Sequence, residues 1–187
     1  DKNAQNSSFI IMDAPPQTED TRPFIAVAEL LAETGVNVPL VLESDVSKGF
    51  LLLSDLGNQT YLSALSPETA PKLYKEASVA LIKIQQAPGA NTLPHYDRGL
   101  LTRELELFPE WYLNKHLQIQ LNESEKQDLT QVFELILENN LAQAQVLVHR
   151  DYHSRNLMVT ESNNPGILDF QDAVYGPITY DLASLFR

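Results

Sequence analysis

"VLVHRDYHSRNLMV", residues 146–159, decides how this chain is read. It sets two His, one Asp, two Arg and one Asn between the apolar triplets Val146–Val148 and Leu157–Val159. A polar crowd between strand-like runs is a metal site, a catalytic loop or a polar turn. Spacing separates these readings. His149-Arg150-Asp151 with Asn156 makes H-R-D-x-x-x-x-N, and Asp169 lies on the next apolar run, in "GILDFQ" (166–171).

Phosphoryl transfer needs a carboxylate to orient and deprotonate an attacking hydroxyl, and oxygen ligands to hold Mg²⁺ against the phosphates. Asp151 suits the first task, Asn156 and Asp169 the second. A lone H-x-D is ordinarily structural, and a lone D-F at a strand end carries less. The ordered set, each member after an apolar triplet, favours catalysis. The competing reading is a metallohydrolase site of His149, Asp151, His153, Asp169 and Asp172, with alternate side chains on one side of a strand. It leaves Asn156 without a role.

Composition bounds the rest. A length of 187 residues suits one domain or two small lobes sharing a cleft. The chain has no cysteine, which excludes disulfides, thiolate zinc sites and cysteine nucleophiles. Net charge is −12, from 13 Lys and Arg against 25 Asp and Glu, with no basic run, which argues against a nucleic-acid partner. The apolar stretches fall far short of the roughly 20 residues that span a bilayer, and no signal peptide is visible. The expectation is a cytoplasmic protein with a small-molecule partner and no membrane partner; the oligomeric state stays open.

The front third reads as strands around one helix. "SSFIIM" (7–12) is a short strand, and "RPFIAVAELLAETG" (22–35) a helix with Phe24, Val27, Ala28 and Leu31 as its apolar stripe and Gly35 as its stop. "PLVLE" and "GFLLLSDLG" flank the turn-rich "SDVSK" as an antiparallel hairpin. From about residue 57 the pattern turns helical. Ser66 is the expected N-cap of a helix with Leu73, Ala77, Leu81 and Ile84 on one face, although Pro71 clouds its start. "RGLLTRELELFPEWYLNKHL" (98–117) is expected to bend or break at Pro109. Asn122 and Glu125 open a capping box, with an apolar face of Leu129, Val132, Phe133, Ile136 and Leu137 after it. The fold class is α+β.

"HRDYHSRNLMV" with "ILDFQDA" resembles the catalytic and metal-binding segments of the protein kinase-like fold, on its aminoglycoside phosphotransferase and choline kinase branch. His153 stands where protein kinases usually carry a Lys, "DFQ" replaces D-F-G, and Asp181 comes too soon after Asp169 for an activation loop. "MDAPPQTEDTRPFIAVAELL", "GFLLLSDLG", "RELELFPEWYL" and "GILDFQDAVYGPITYDLASLFR" narrow the likeness to one bacterial subfamily, the anomeric N-acetylmuramate/N-acetylglucosamine kinases of cell-wall recycling.

The resemblance implies transfer of the ATP γ-phosphate, with Mg²⁺, to the sugar's C1 hydroxyl. It implies Asp151 as general base, His149 as the residue that orients its loop, Asn156 and Asp169 on Mg²⁺, and Asp181 as a structural tie. It places Ser54, Asp55 and Leu56 in the hinge that meets adenine, with Glu29 on the helix of the lysine-pairing Glu. Met158 either lies under the adenine ring or fills core. Glu110, Trp111, Asp172 and His153 are the candidate substrate contacts, although Trp111 and Tyr112 equally suit packing of the bent helix. Asp172 suits metal, substrate or the loop alone. His95 and His116 read as exposed or capping.

The resemblance also predicts two lobes. Residues 1–56 form a partial β-rich nucleotide lobe and 57–187 a mainly helical lobe with the catalytic and metal loops. The glycine- or serine-rich phosphate loop and strand Lys are not evident, and the pattern stops within a helix, so a portion of a longer enzyme is expected. The rivals are an aminoglycoside, choline or thiamine kinase and an inactive pseudokinase binding module. Intact Asp151, Asn156 and Asp169 count against the last.

Overall fold

The turn-rich "SDVSK" closes a hairpin because Asp45 can cap it: its carboxylate accepts from the Ser47 hydroxyl (2.6 Å) and the Lys48 N–H (3.2 Å). In the computed structural model, which describes residues 8–187, the hairpin joins β2 (Val41–Asp45) to β3 (Phe50–Ser54). Gly49 ends the turn at φ 79°, and a Cβ there would sit 1.8 Å from the Ala14 carbonyl oxygen. That position admits only glycine. β1 (Phe9–Asp13) pairs antiparallel with the other edge of β3, giving the order β1-β3-β2. Ser7, the first residue of the expected strand, lies outside the described residues.

Cross-strand partners share a face, so Ile10 and Met12 lie on the side of Leu53 and Leu51. That side takes α1 (Thr21–Glu33), capped by Asp20, whose carboxylate accepts the Arg22 N–H. Phe24, Val27, Ala28 and Leu31 are buried as their spacing predicts, and Gly35 lies just past the helix at φ 74°.

A short α2 (Tyr61–Ala64) leads to α3 (Ala70–Gln85). The latter begins four residues after the expected Ser66 cap. Pro71 occupies the first turn, where its missing N–H loses no bond, and Ser66 instead caps a preceding turn through the Glu68 and Thr69 N–H groups. Leu73, Ala77, Leu81 and Ile84 are buried as expected. α4 (Arg98–Leu107) is interrupted just before Pro109, as expected, although the chain stays helical. It widens into a π-helical segment (Phe108–His116), closed by the Leu117 N–H on the Tyr112 carbonyl at 2.9 Å. The wider turn absorbs a residue that cannot donate. α5 (Glu123–Leu141) carries the full capping box of Asn122 and Glu125, yet of its expected stripe only Leu137 is buried.

Four short strands come next: β4 (Gln145–Val148), β5 (Leu157–Met158), β6 (Gly166–Ile167) and β7 (Val174–Pro177), then α6 (Tyr180–Leu185). The two apolar triplets around the polar loop do not pair with each other. β4 pairs with β7 and β5 with β6. One hydrophobic cluster runs from Phe24, Leu51 and Leu53 through Leu81 and Ile84 to Leu147, Leu157, Ile167 and Phe170. The front sheet and the late strands therefore share a core. A smaller cluster joins Tyr96, Leu101, Leu137, Val148 and Val174. No helix among the described residues is long and apolar enough to cross a membrane.

Candidate active site

The polar loop hangs between β4 and β5, and its first residues are fixed by a buried carboxylate. Asp181, in the first turn of α6 and 1% exposed, accepts the His149 N–H at 2.7 Å and the Arg150 N–H at 3.0 Å. Burial pushes its carboxyl up to about 7, opposed by these two donors and reinforced by the nearby Asp151 charge.

His149 is fully buried, and burial depresses its pKa to about 4, so the ring is neutral at neutral pH. Its tautomer is set by its partners. Nε2 lies 3.0 Å from the Leu168 carbonyl oxygen and must donate, which leaves Nδ1 to accept the Asp151 N–H at 3.3 Å. Neither nitrogen is free for a metal, which removes His149 from the metallohydrolase alternative. Among the described residues no group of three or more His, Cys, Asp or Glu is arranged to hold a metal ion.

Asp151 itself is exposed, and no hydrogen bond engages its carboxylate among the described residues. The loop turns back through the His153 N–H on the Asp151 carbonyl (3.0 Å) and the Asn156 N–H on the His153 carbonyl (2.9 Å). Asn156 then links the segments. Its Nδ2 donates to the Asp151 carbonyl at 3.0 Å and to Asp169 Oδ2 at 3.1 Å. With the amide nitrogen spent on both, Oδ1 is the atom of Asn156 left to serve as a metal ligand. Two hard oxygen groups held in this way fit Mg²⁺. Asp169 adopts φ 64°, a conformation that Asp tolerates better than most residues, and its Oδ1 accepts from Gln171 Nε2 at 2.9 Å. Phe170 turns inward against Phe24 of α1, with ring centroids 4.8 Å apart.

The expected hinge lies directly after β3. Ser54 Oγ accepts the Leu40 N–H at 2.8 Å, and Asp55 Oδ1 accepts the Gly57 N–H at 2.8 Å. The Ser8 hydroxyl and that N–H hold the Asp55 carboxyl below its usual range. Leu56 lies over Gly166, where a Cβ would come within 2.9 Å of Leu56 Cδ1 and 3.3 Å of Met158 Cβ. Leu56 and buried Met158 thus meet across one glycine.

The remaining candidates are scattered. Glu29 is exposed on α1, and with Glu33, Gln171 and Asp172 it lines a cavity of about 710 Å³ that Arg150 also borders. The α1 side chain that reaches the Asp169 segment is Phe24. Trp111 is 55% exposed on the π-helical segment, with Lys115 Nζ 3.4 Å from its ring centroid. Lys115 also pairs with Glu110 at 3.1 Å, so one lysine occupies both. His153 is half-buried, and its Nδ1 has no partner among the described residues. His95 is exposed and meets Tyr175 edge to face. Sequence reasoning gave no role to Arg150, Glu104 or Gln171, and gave Phe24 only a place in the apolar stripe of α1. Arg150 was visible as the middle of H-R-D, whereas its partner Glu104, 46 residues earlier, had no sequence signal.

The profile of the phosphotransferase enzyme family matches residues 2–187. The N-acetylmuramate/N-acetylglucosamine kinase of Pseudomonas putida is 51% identical over 180 residues, 96% of this chain and 53% of that protein. The enzyme of the same name from Neisseria meningitidis serogroup B is 44% identical over 188 residues, 98% of this chain and 55% of that protein. The chain spans about half the length of the curated relatives it matches. Among solved structures, an aminoglycoside phosphotransferase of Streptomyces rimosus, in complex with ADP and streptomycin, superposes with a TM-score of 0.67 at 17% identity, covering 98% of this chain and 72% of that one. The gentamicin complex of another aminoglycoside phosphotransferase gives 0.65 at 15% identity, covering 94% and 62%. The fold is therefore the kinase-like α+β fold of these enzymes.

Proposed function

The chain belongs to the phosphotransferase enzyme family, and on that premise we propose that the protein moves the γ-phosphoryl group of ATP to a hydroxyl of an amino sugar. N-acetylmuramate and N-acetylglucosamine are the acceptors that its relatives' names support, and the anomeric hydroxyl is the position that the sequence resemblance implies. The observation that carries the reading is the Asn156 amide, which joins the Asp151 backbone and the Asp169 carboxylate in one hydrogen-bonded unit.

Asp151, with its carboxylate free, takes the proton of the acceptor hydroxyl as its oxygen bonds to the γ-phosphorus and the bond to ADP breaks. Neutral His149 and ionisable Asp181 fix the backbone of this loop without entering the reaction. Asn156 Oδ1 and the Asp169 carboxylate are the ligands that would hold Mg²⁺, which when bound offsets the charge of the phosphates. The hinge backbone at Ser54–Leu56 meets the adenine edge, and Leu56 and Met158 supply the apolar surface for its ring.

The test is ADP release by the full-length protein with N-acetylglucosamine, N-acetylmuramate, an aminoglycoside and choline as acceptors, with ³¹P NMR of the product. An anomeric sugar phosphate formed from the acetylated amino sugars is the expected result. Turnover confined to the aminoglycoside or choline overturns the acceptor class, and ATP-independent products overturn phosphotransfer.

A further inference from the structure

Arg150 stands between the buried His149 and the catalytic carboxylate in an unusual backbone state. Its φ is 77°, in the left-handed region that suits glycine and strains a long side chain. Such a residue persists only where its surroundings over-determine it, and here they do so from two directions. Its N–H donates to Asp181, and its guanidinium reaches to α4, where Nη2 donates to Glu104 Oε1 at 2.7 Å. Glu104 Oε2 accepts the hydroxyl of buried Tyr96. The Tyr96 ring lies 5.8 Å from the guanidinium carbon and 5.3 Å from the ring of Tyr180, the neighbour of Asp181. The contacts close a ring: backbone of 150, Asp181, Tyr180, Tyr96, Glu104, side chain of 150.

We propose that Arg150 is a positioning residue, and that its ion pair with Glu104 holds residue 150 in the strained conformation that points Asp151 out of the loop. The two members of the pair are only 28% and 29% exposed, so solvent screens them less than a surface pair. Asp151 is the next residue, and its carbonyl carries the Asn156 amide that reaches Asp169. A backbone rotation at 150 would therefore displace both the base and the amide beside it. The consequence for turnover rests on the phosphotransfer reading; the backbone claim does not.

Glycine separates the two effects of this residue, because Arg150→Gly removes the anchor and relieves the strain together. In the full-length protein this variant should melt close to the wild type, while kcat falls about 10- to 100-fold with KM for both substrates within about threefold. Arg150→Ala keeps the strain and should melt about 2–4 °C below the glycine variant. Glu104→Gln should reproduce most of the kcat loss, and the double variant with Arg150→Gly should be no slower than the glycine variant alone. Hydrogen exchange at the Asp151 and Asn156 amides should quicken in Arg150→Gly. An Arg150→Gly enzyme with kcat within twofold of wild type, or a melting temperature that falls while kcat holds, overturns the proposal. If the wild type itself transfers no phosphate, the phosphotransfer reading fails, and unchanged exchange at 151 and 156 then overturns the positioning claim on its own.

Discussion

The catalytic segment, residues 146–181, and the helical segment, residues 98–136, spend their polar groups in opposite ways. In the first, each key side chain has an internal partner: Asp181 takes two backbone N–H groups, His149 uses both ring nitrogens, and Asn156 ties a carbonyl to a carboxylate. The Asp151 carboxylate, by contrast, has no hydrogen-bond partner among the described residues. In the second, charged residues pair at the surface, as Lys115 with Glu110 and Arg98 with Glu134, while Trp111, Tyr112 and Leu135 stay exposed. A buried polar network fixes geometry because each broken bond leaves an unsatisfied group, whereas a surface pair contributes only about 0–1 kcal/mol. Substitutions should therefore act strongly in the first region and weakly in the second, Glu104 excepted, because it pairs with Arg150 of the first.

The largest effect is expected at Asp169. Asp169→Ala removes the carboxylate proposed to hold Mg²⁺ and the acceptor of the Asn156 amide, and initial-rate assays should show turnover falling about 10³-fold. Activity within tenfold of the wild type would break the contrast at its strongest point.

The next effect is on stability and has a sign. His149 has a folded pKa of about 4, below its usual 6.5, so the unfolded chain takes the proton first on acidification. Its contribution falls as pH drops through that window, by roughly 3 kcal/mol. Asp181, raised to about 7, acts oppositely: its contribution is full below the usual carboxylate range and is lost as pH rises through about 7. The two offset each other in the wild type. Asp181→Asn removes one of them, so urea unfolding at about pH 7.5 and about pH 5 should show the variant losing roughly 2–3 kcal/mol more than the wild type on acidification. Parallel losses in the two proteins would contradict the assignment.

Legibility in the sequence divides along the same line. The H-R-D-x-x-x-x-N spacing was legible because its members are close in the chain and bound by the loop's own geometry. The α1 stripe and the capping box of α5 were legible because they are local. β7 was not, because Gly176 and Pro177 read as strand breakers; yet at Gly176 a Cβ would come within 2.8 Å of Tyr96 Cβ, so glycine admits the packing there. Nor was the π-helical turn at Pro109, whose closing bond joins the Leu117 N–H to the Tyr112 carbonyl beyond the proline. The apolar stripe of α5 predicted a buried face, but Val132 is 51% exposed. Periodicity reports that a face is apolar, not what covers it. Glu104 was invisible because its partner is distant in sequence.

The smallest effect is expected at Trp111. Lys115 already occupies its ring, so Trp111→Ala should shift stability by about 0.5 kcal/mol and sugar KM by less than about twofold. A tenfold rise in KM with unchanged kcat would instead place the sugar against the helical segment and sharpen the contrast into a division of labour between binding and chemistry.

Asp151 is proposed as the proton acceptor in a site otherwise built to hold it still. Turnover and ATP affinity of Asp151→Asn, determined together in the full-length protein, test it most directly. Turnover should fall about 10²–10⁴-fold with ATP affinity essentially unchanged. Near wild-type turnover in that variant would contradict it.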